Sequence, residues 1–212
     1  MTFAKRFSLL MLMLLISALY IPLNHFMTSG YNLKTTLDAY IPLVPVFAVP
    51  YLLFLPFWII AFLIAAWKMN DRLFRALMTG SISASTLAIL TFFLFPTYTE
   101  RPQIDSGGWA ASLLSLIYSC DNVFNAFPSA HVLYTTLIAL FGSTWRPNWS
   151  LILSGSVVLV ILATLLTGQH HLVDLLGGFA LGWACYRFGL WAEYGLAGTR
   201  KRLSVEQPTA PR

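Results

Sequence analysis

Residues 45–67 read PVFAVPYLLFLPFWIIAFLIAAW, 23 positions without a charge before Lys68 ends the run. A helix crossing the hydrocarbon core of a bilayer needs roughly 20 mainly apolar residues, so this stretch alone predicts a membrane span. Five more charge-poor stretches qualify, near 7–24, 74–95, 129–144, 149–168 and 170–192. The composition agrees: 58% of residues are hydrophobic, 10% are charged and the mean hydropathy is +0.71. That leaves too few polar side chains to cover a water-soluble globule of 212 residues. The expected fold is all-α, a polytopic membrane bundle of about six helices in one domain over 1–198, followed by a disordered cytoplasmic tail at 199–212.

Two of the spans have distinctive ends. Residues 1–24 combine a basic start, Lys5 and Arg6, with an apolar core, as a secretory signal does; no small-x-small cleavage pattern follows, so a retained helix is expected. The span at 129–144 is bracketed by Pro128 and Pro147 and is short. Pro50 and Pro56, within the second span, are expected to bend it.

Basic residues set the orientation, because short loops rich in Lys and Arg stay in the cytoplasm. In the six-span reading Lys5, Arg6, Lys68, Arg72, Arg75, Arg146, Arg187, Arg200, Lys201, Arg202 and Arg212 fall on one side, and only Lys34 and Arg101 on the other. Both termini are therefore expected in the cytoplasm, with loops 25–44 and 96–128 outside. The net charge of +5 reads as topology and contact with anionic lipid, not as nucleic-acid binding. Cys120, in the outer loop, and Cys185, in the last span, are too far apart in this arrangement to form a disulfide. No internal repeat, glycine-rich nucleotide loop or zinc pattern occurs, and no cofactor or metal is expected.

All four histidines, His25, His131, His170 and His171, fall near the outer boundary, where ionisable groups are costly and so point to function. His131 closes the run Asn125-Ala126-Phe127-Pro128-Ser129-Ala130-His131 at the mouth of the fourth span. Ser129 suits a helix cap, and the free amides of the first turn, at Ala130 and beyond, suit an anion. His131 then stands within one turn of a bound phosphate, placed to donate a proton. In Thr167-Gly168-Gln169-His170-His171-Leu172-Val173-Asp174, His170 and Asp174 are four apart. On one helical face the carboxylate would fix the imidazole tautomer and leave the other ring nitrogen free. His171, three residues from Asp174, competes for the same carboxylate. Gly177-Gly178 beyond it permits close helix packing. Arg101, in Glu100-Arg101-Pro102, offers a planar fork suited to phosphate oxygens. Around a short amphipathic helix expected near 109–119, the outer loop also supplies Asp121 and Asn125. Cradle, acid, oriented nucleophile and charge clamp together are the parts of a phosphoryl-transfer site. A bis-histidine haem site using His131 and His170 is a rival reading, and it leaves the Pro-Ser cradle and Asp174 idle; a silent membrane scaffold is another.

From about Ile41 to Gly178 the chain resembles the type 2 phosphatidic acid phosphatase superfamily, through Arg101-Pro102, the run Pro128-Ser129-x-His131 and the pair His170 and Asp174. The resemblance implies that His170 attacks phosphorus to form a phosphohistidine, that Asp174 orients it and that His131 protonates the leaving oxygen. It also implies a substrate-binding set of Arg101, Asp121, Asn125, Pro128, Ser129 and Ala130. Two cations of the family pattern are missing: Leu94 stands where a lysine is usual, and Ala163-Thr164 where Ser-Arg is usual. Fewer cations suit a singly charged phosphodiester better than a doubly charged monoester. The runs DAYIPLVPVFAVPYLLFLP (38–56) and YSCDNVFNAFPSAHV (118–132) look like the inositolphosphotransferase branch, which resembles inositol phosphorylceramide and sphingomyelin synthases. The expected partners are a lipid phosphate substrate in the membrane and an acceptor that is an alcohol for a transferase or water for a phosphatase.

Overall fold

The computed structural model describes residues 1–104 and 107–205, with side chains through residue 195. Its helices are α1 (Phe3–Ala18), α2 (Tyr20–Phe26), α3 (Ala48–Lys68), α4 (Asp71–Leu94), α5 (Trp109–Cys120), α6 (Ala130–Trp145), α7 (Ser150–Leu166) and α8 (Leu172–Val205). The only strands among the described residues, β1 (Tyr31–Asn32) and β2 (Thr97–Tyr98), form one short parallel pair in the loops. The protein is an all-α membrane bundle. By length and apolar composition the stretches 3–26, 45–68, 71–94 and 147–166 can each cross a bilayer. The shorter α6 and the long α8 pack among them.

Local chemistry explains the helix ends. Asn70 caps α4 by accepting the Leu73 amide at 2.9 Å. The first span is broken at Leu19 into α1 and α2. Pro50 lies in the first turn of α3, where a missing N–H costs nothing, and α3 runs unbroken through Pro56. The short helix expected near 109–119 is α5. α8 departs from helical geometry at Gly195 and continues to Val205, into the stretch expected as a tail; residues 206–212 of that stretch lie outside those described.

Polar contacts define two ends of the bundle. At one end Arg6 donates to Ala66 O and Met69 O, closing the end of α3, and the Met1 amine pairs with Asp71. Arg75 pairs with Glu193 at 2.9 Å, bringing the far part of α8 to the same end. At the other end Arg101 and Tyr118 reach the α7–α8 turn, bonding to Gln169 and Thr167. Between them lies an apolar core centred on α4, α6 and α8, with Phe74, Leu133, Leu137 and Phe141 fully buried. Gly178 lets α8 meet the start of α6: a Cβ there would stand 2.5 Å from Ser129 O. The expected close packing at Gly177-Gly178 is therefore the contact that joins the two histidine-bearing segments.

Candidate active site

Ser129 is the N-cap of α6, its hydroxyl accepting the Val132 amide at 3.5 Å. Its own amide donates to Asp174 O at 2.9 Å. Ala130 and His131 are the first helical residues, whose amides precede any intrahelical acceptor, and both line a cavity of about 490 Å³. Pro128 precedes the cap and is joined to Phe127 by a cis peptide. The approach to the cap is held by Thr97, whose carbonyl accepts the Asn125 amide and whose hydroxyl accepts the Phe127 amide, both at 2.8 Å. Asn125 takes a positive φ of 60°, which asparagine tolerates better than most residues.

His170 differs from expectation in its backbone. It precedes α8 instead of lying on it, so the pair with Asp174 is not a helical-face pair. The reason is local capping. Asp174, in the first turn, reaches back to the His171 amide at 2.8 Å, and Asp38, from a loop 134 positions away, accepts the Leu172 amide at 2.8 Å. His170 is left in the turn, with its amide on Thr164 O. Its Nδ1 still stands 3.5 Å from Asp174 Oδ2, and the His131 and His170 rings are 5.8 Å apart, edge to face. His131 is further packed by Tyr51, at 4.5 Å between centroids, and by Trp58, at 5.3 Å.

The other two histidines stand apart. His171 Nδ1 lies 4.0 Å from Asp38, and His25 meets Phe26 edge to face; neither lines the cavity. Asp38 is held by the Thr35 amide and hydroxyl and by the Leu172 amide. Burial works to raise its pKa, and these hydrogen bonds outweigh it, so its carboxyl sits below the ordinary value.

Arg101 reaches the cavity wall, but most of its fork is occupied. It donates to the carbonyls of Tyr118, Asp121 and Asn122 and to Gln169 Oε1 at 2.8 Å, with Asp121 Oδ2 at 3.9 Å. It thereby ties residues 118–122 to the turn before His170. Tyr118 adds a second tie, donating to Thr167 O at 2.6 Å; burial pushes its pKa up to about 12. Asp121 accepts from Tyr20 at 2.9 Å. Besides Ser81, Thr99, Thr136 and His171 Nε2 elsewhere, the buried atoms without a hydrogen bond include a group around the site: Arg101 Nε, both amide atoms of Asn125, Gln169 Nε2, His170 Nδ1 and Asp174 Oδ1. Except for Asp174, the residues of this group all line the one cavity. Buried polar groups are ordinarily paired, so this cluster fits a polar ligand. Among the described lining residues Arg101 is the one cation besides the imidazoles.

The two family departures point elsewhere. Leu94 is 72% exposed at the end of α4, and the buried Thr164 hydroxyl donates back to Val160 O. Asp38, Gln169, Thr97, Tyr51 and Trp58 were not picked out from sequence, because each acts through a partner distant along the chain. Cys120 and Cys185 are both free.

A family model described as the PAP2 superfamily matches residues 17–188. One similar curated protein is the inositol phosphorylceramide synthase catalytic subunit aur1 of Schizosaccharomyces pombe, 38% identical over 66 residues. That match covers 31% of this chain and 16% of the yeast protein, so this chain spans only a small part of its relative. No solved structure matches.

Proposed function

We propose that this chain, which belongs to the PAP2 superfamily and so to the enzymes acting on lipid phosphate esters, is a phosphotransferase that moves a phospho-headgroup from a phosphodiester lipid to an alcohol. The observation that carries the reading is the charge inventory. The cavity joins two imidazoles to buried, unpartnered amide donors, to a single guanidinium that is already largely bonded, and to the Asp121 carboxylate 3.9 Å from that guanidinium. Such a wall suits one negative charge better than two.

In the proposed reaction the phosphate sits against the amides of Ala130 and His131, with Asn125, Gln169 and Arg101 Nε as further donors. Asp174 holds Nδ1 of His170, and the 3.5 Å separation shortens as substrate orders the turn. Nε2 of His170 attacks phosphorus; the P–O bond to the lipid alcohol breaks, and His131 gives that oxygen its proton. His131, now neutral, takes the proton of the acceptor alcohol, whose oxygen attacks phosphorus and breaks the N–P bond. Water as acceptor would make the same steps a hydrolysis, the phosphatase alternative.

Lipid access is supported by the cavity's side wall. Ile21, Leu52 and Leu55 line it and are also exposed on the bundle surface, which leaves a side opening between α2 and α3 toward the acyl chains. In the proposed topology the site faces outward and the termini lie in the cytoplasm. The test of the intermediate is an alkaline denaturing quench of purified protein with a phosphodiester lipid, because the N–P bond of a phosphohistidine is lost in acid, followed by peptide mass spectrometry at neutral to basic pH. A headgroup phosphate on His170 supports the reading; turnover without any adduct on histidine contradicts it.

A further inference from the structure

Below the two imidazoles the cavity ends in three hydroxyls from three different helices. Tyr134 of α6 meets Ser17 of α1 at 2.7 Å and Ser85 of α4 at 2.8 Å, and the two serines are 3.2 Å apart. All three line the cavity, among the apolar side chains of Ile21, Leu52, Leu55 and Ile89. Tyr134 follows His131 by three residues on α6, so it lies about 4.5 Å deeper along the helix axis. Trp58 packs on both rings, 5.3 Å from His131 and 5.6 Å from Tyr134. The phosphoryl chemistry described above uses none of these hydroxyls.

The protons of the cluster can be counted. Ser85 donates to Ser81 O at 2.9 Å, and Ser17 donates either to Met13 O at 2.8 Å or to Ser85 Oγ at 3.2 Å. The Tyr134 proton then goes to one of the two serines. Every proton is used, and what the cluster still offers to the cavity is lone pairs. A ligand that donates a hydrogen bond here gains one outright. A ligand that only accepts must break an existing bond first, in an apolar setting where a stranded hydroxyl is costly.

We propose that Ser17, Ser85 and Tyr134 form a specificity subsite that accepts a hydrogen bond from an O–H or N–H group of the lipid, carried a few bonds below its phosphate. This rests on the reading of the cavity as a lipid phosphate site. It selects lipids with a free hydroxyl or amide N–H near the headgroup over fully esterified lipids, and over polyprenyl chains, which have no polar atom at that depth.

The test uses two lipids that differ in one donor: a 1-acyl-glycerol carrying a phosphoglycerol headgroup and a free 2-hydroxyl, and its 2-O-methyl ether. Their binding to full-length His170→Ala protein in nanodiscs is measured, so that the result does not depend on turnover. The expected result is that the free hydroxyl binds about fivefold tighter, the worth of one hydrogen bond, and that Ser85→Ala with Tyr134→Phe brings the ratio to about one. Should the double variant fail to fold, Ser17→Ala is the smaller change and should reduce the ratio. Equal binding of the two lipids to the unaltered cluster, or a ratio that survives a folded variant, overturns the proposal and leaves the cluster as a stitch between helices. Failure of the phosphate-site reading would appear separately, as no binding of either lipid beyond that of the same acyl-glycerol without phosphate; that result would overturn the subsite as well.

Discussion

Asp38 accepts the backbone amide of Leu172 at 2.8 Å, so a loop residue near the start of the chain caps the helix that begins two residues after His170. The cap fixes where α8 starts, and with it the turn that holds His170 near Asp174. Because hydrogen bonds lower the Asp38 pKa, its stabilising contribution is complete above the unfolded carboxyl value near 4. It is lost as pH falls through the lower folded value. Asp38→Ala should cost about 1 kcal/mol, as loss of a helix cap does, and should lower turnover more than lipid binding. Thermal melting in detergent across pH 3–7 measures the first effect. A variant whose melting follows the parent at every pH would remove Asp38 from this role.

His170 and His171 are adjacent, but only His170 lines the cavity, while His171 packs toward Asp38. His170→Ala should abolish headgroup release with the fold intact, and His171→Ala should keep most of the activity. The reverse pattern, read on lipid substrate with folding checked by circular dichroism, would mean that the neighbour is the nucleophile.

His131→Ala should slow ordinary lipids by about 10²–10⁴-fold and activated aryl esters far less, because an acid matters least when the leaving oxygen is already stable. Comparing the two substrate types in one variant is the check. Equal losses on both would make His131 a binding group.

Much of this arrangement was readable from the chain itself. Charge-poor runs marked the four stretches long and apolar enough to cross a bilayer, and the helices α6 and α8 that pack among them. The Ser129 cap and the placement of His131 followed from chemistry within one helical turn. The backbone of His170 was not readable: the four-residue spacing to Asp174 assumes one continuous helix, and the helix start is decided by Asp38, far away in sequence. The role of Arg101 was hidden for the same reason, because the carbonyls and Gln169 that hold it come from segments brought together only by folding.

Gly107 is exposed just before α5, with open space around it, on the face that the proposed topology puts outside. A cysteine placed there, in a Cys120→Ser background, should react with a membrane-impermeant thiol reagent added to intact cells or spheroplasts. Labelling that requires permeabilisation would invert the proposed topology and put the site in the cytoplasm.

The charge inventory of the cavity is tested most directly by a matched pair of lipids, one a phosphodiester and the other the phosphate monoester of the same 1-acyl-glycerol, offered to purified protein with a labelled acceptor alcohol. Turnover of the diester by at least tenfold over the monoester, with label appearing in a new phosphodiester, is the predicted result. Efficient release of inorganic phosphate from the monoester, with the diester untouched, would contradict it and make the protein a phosphatase.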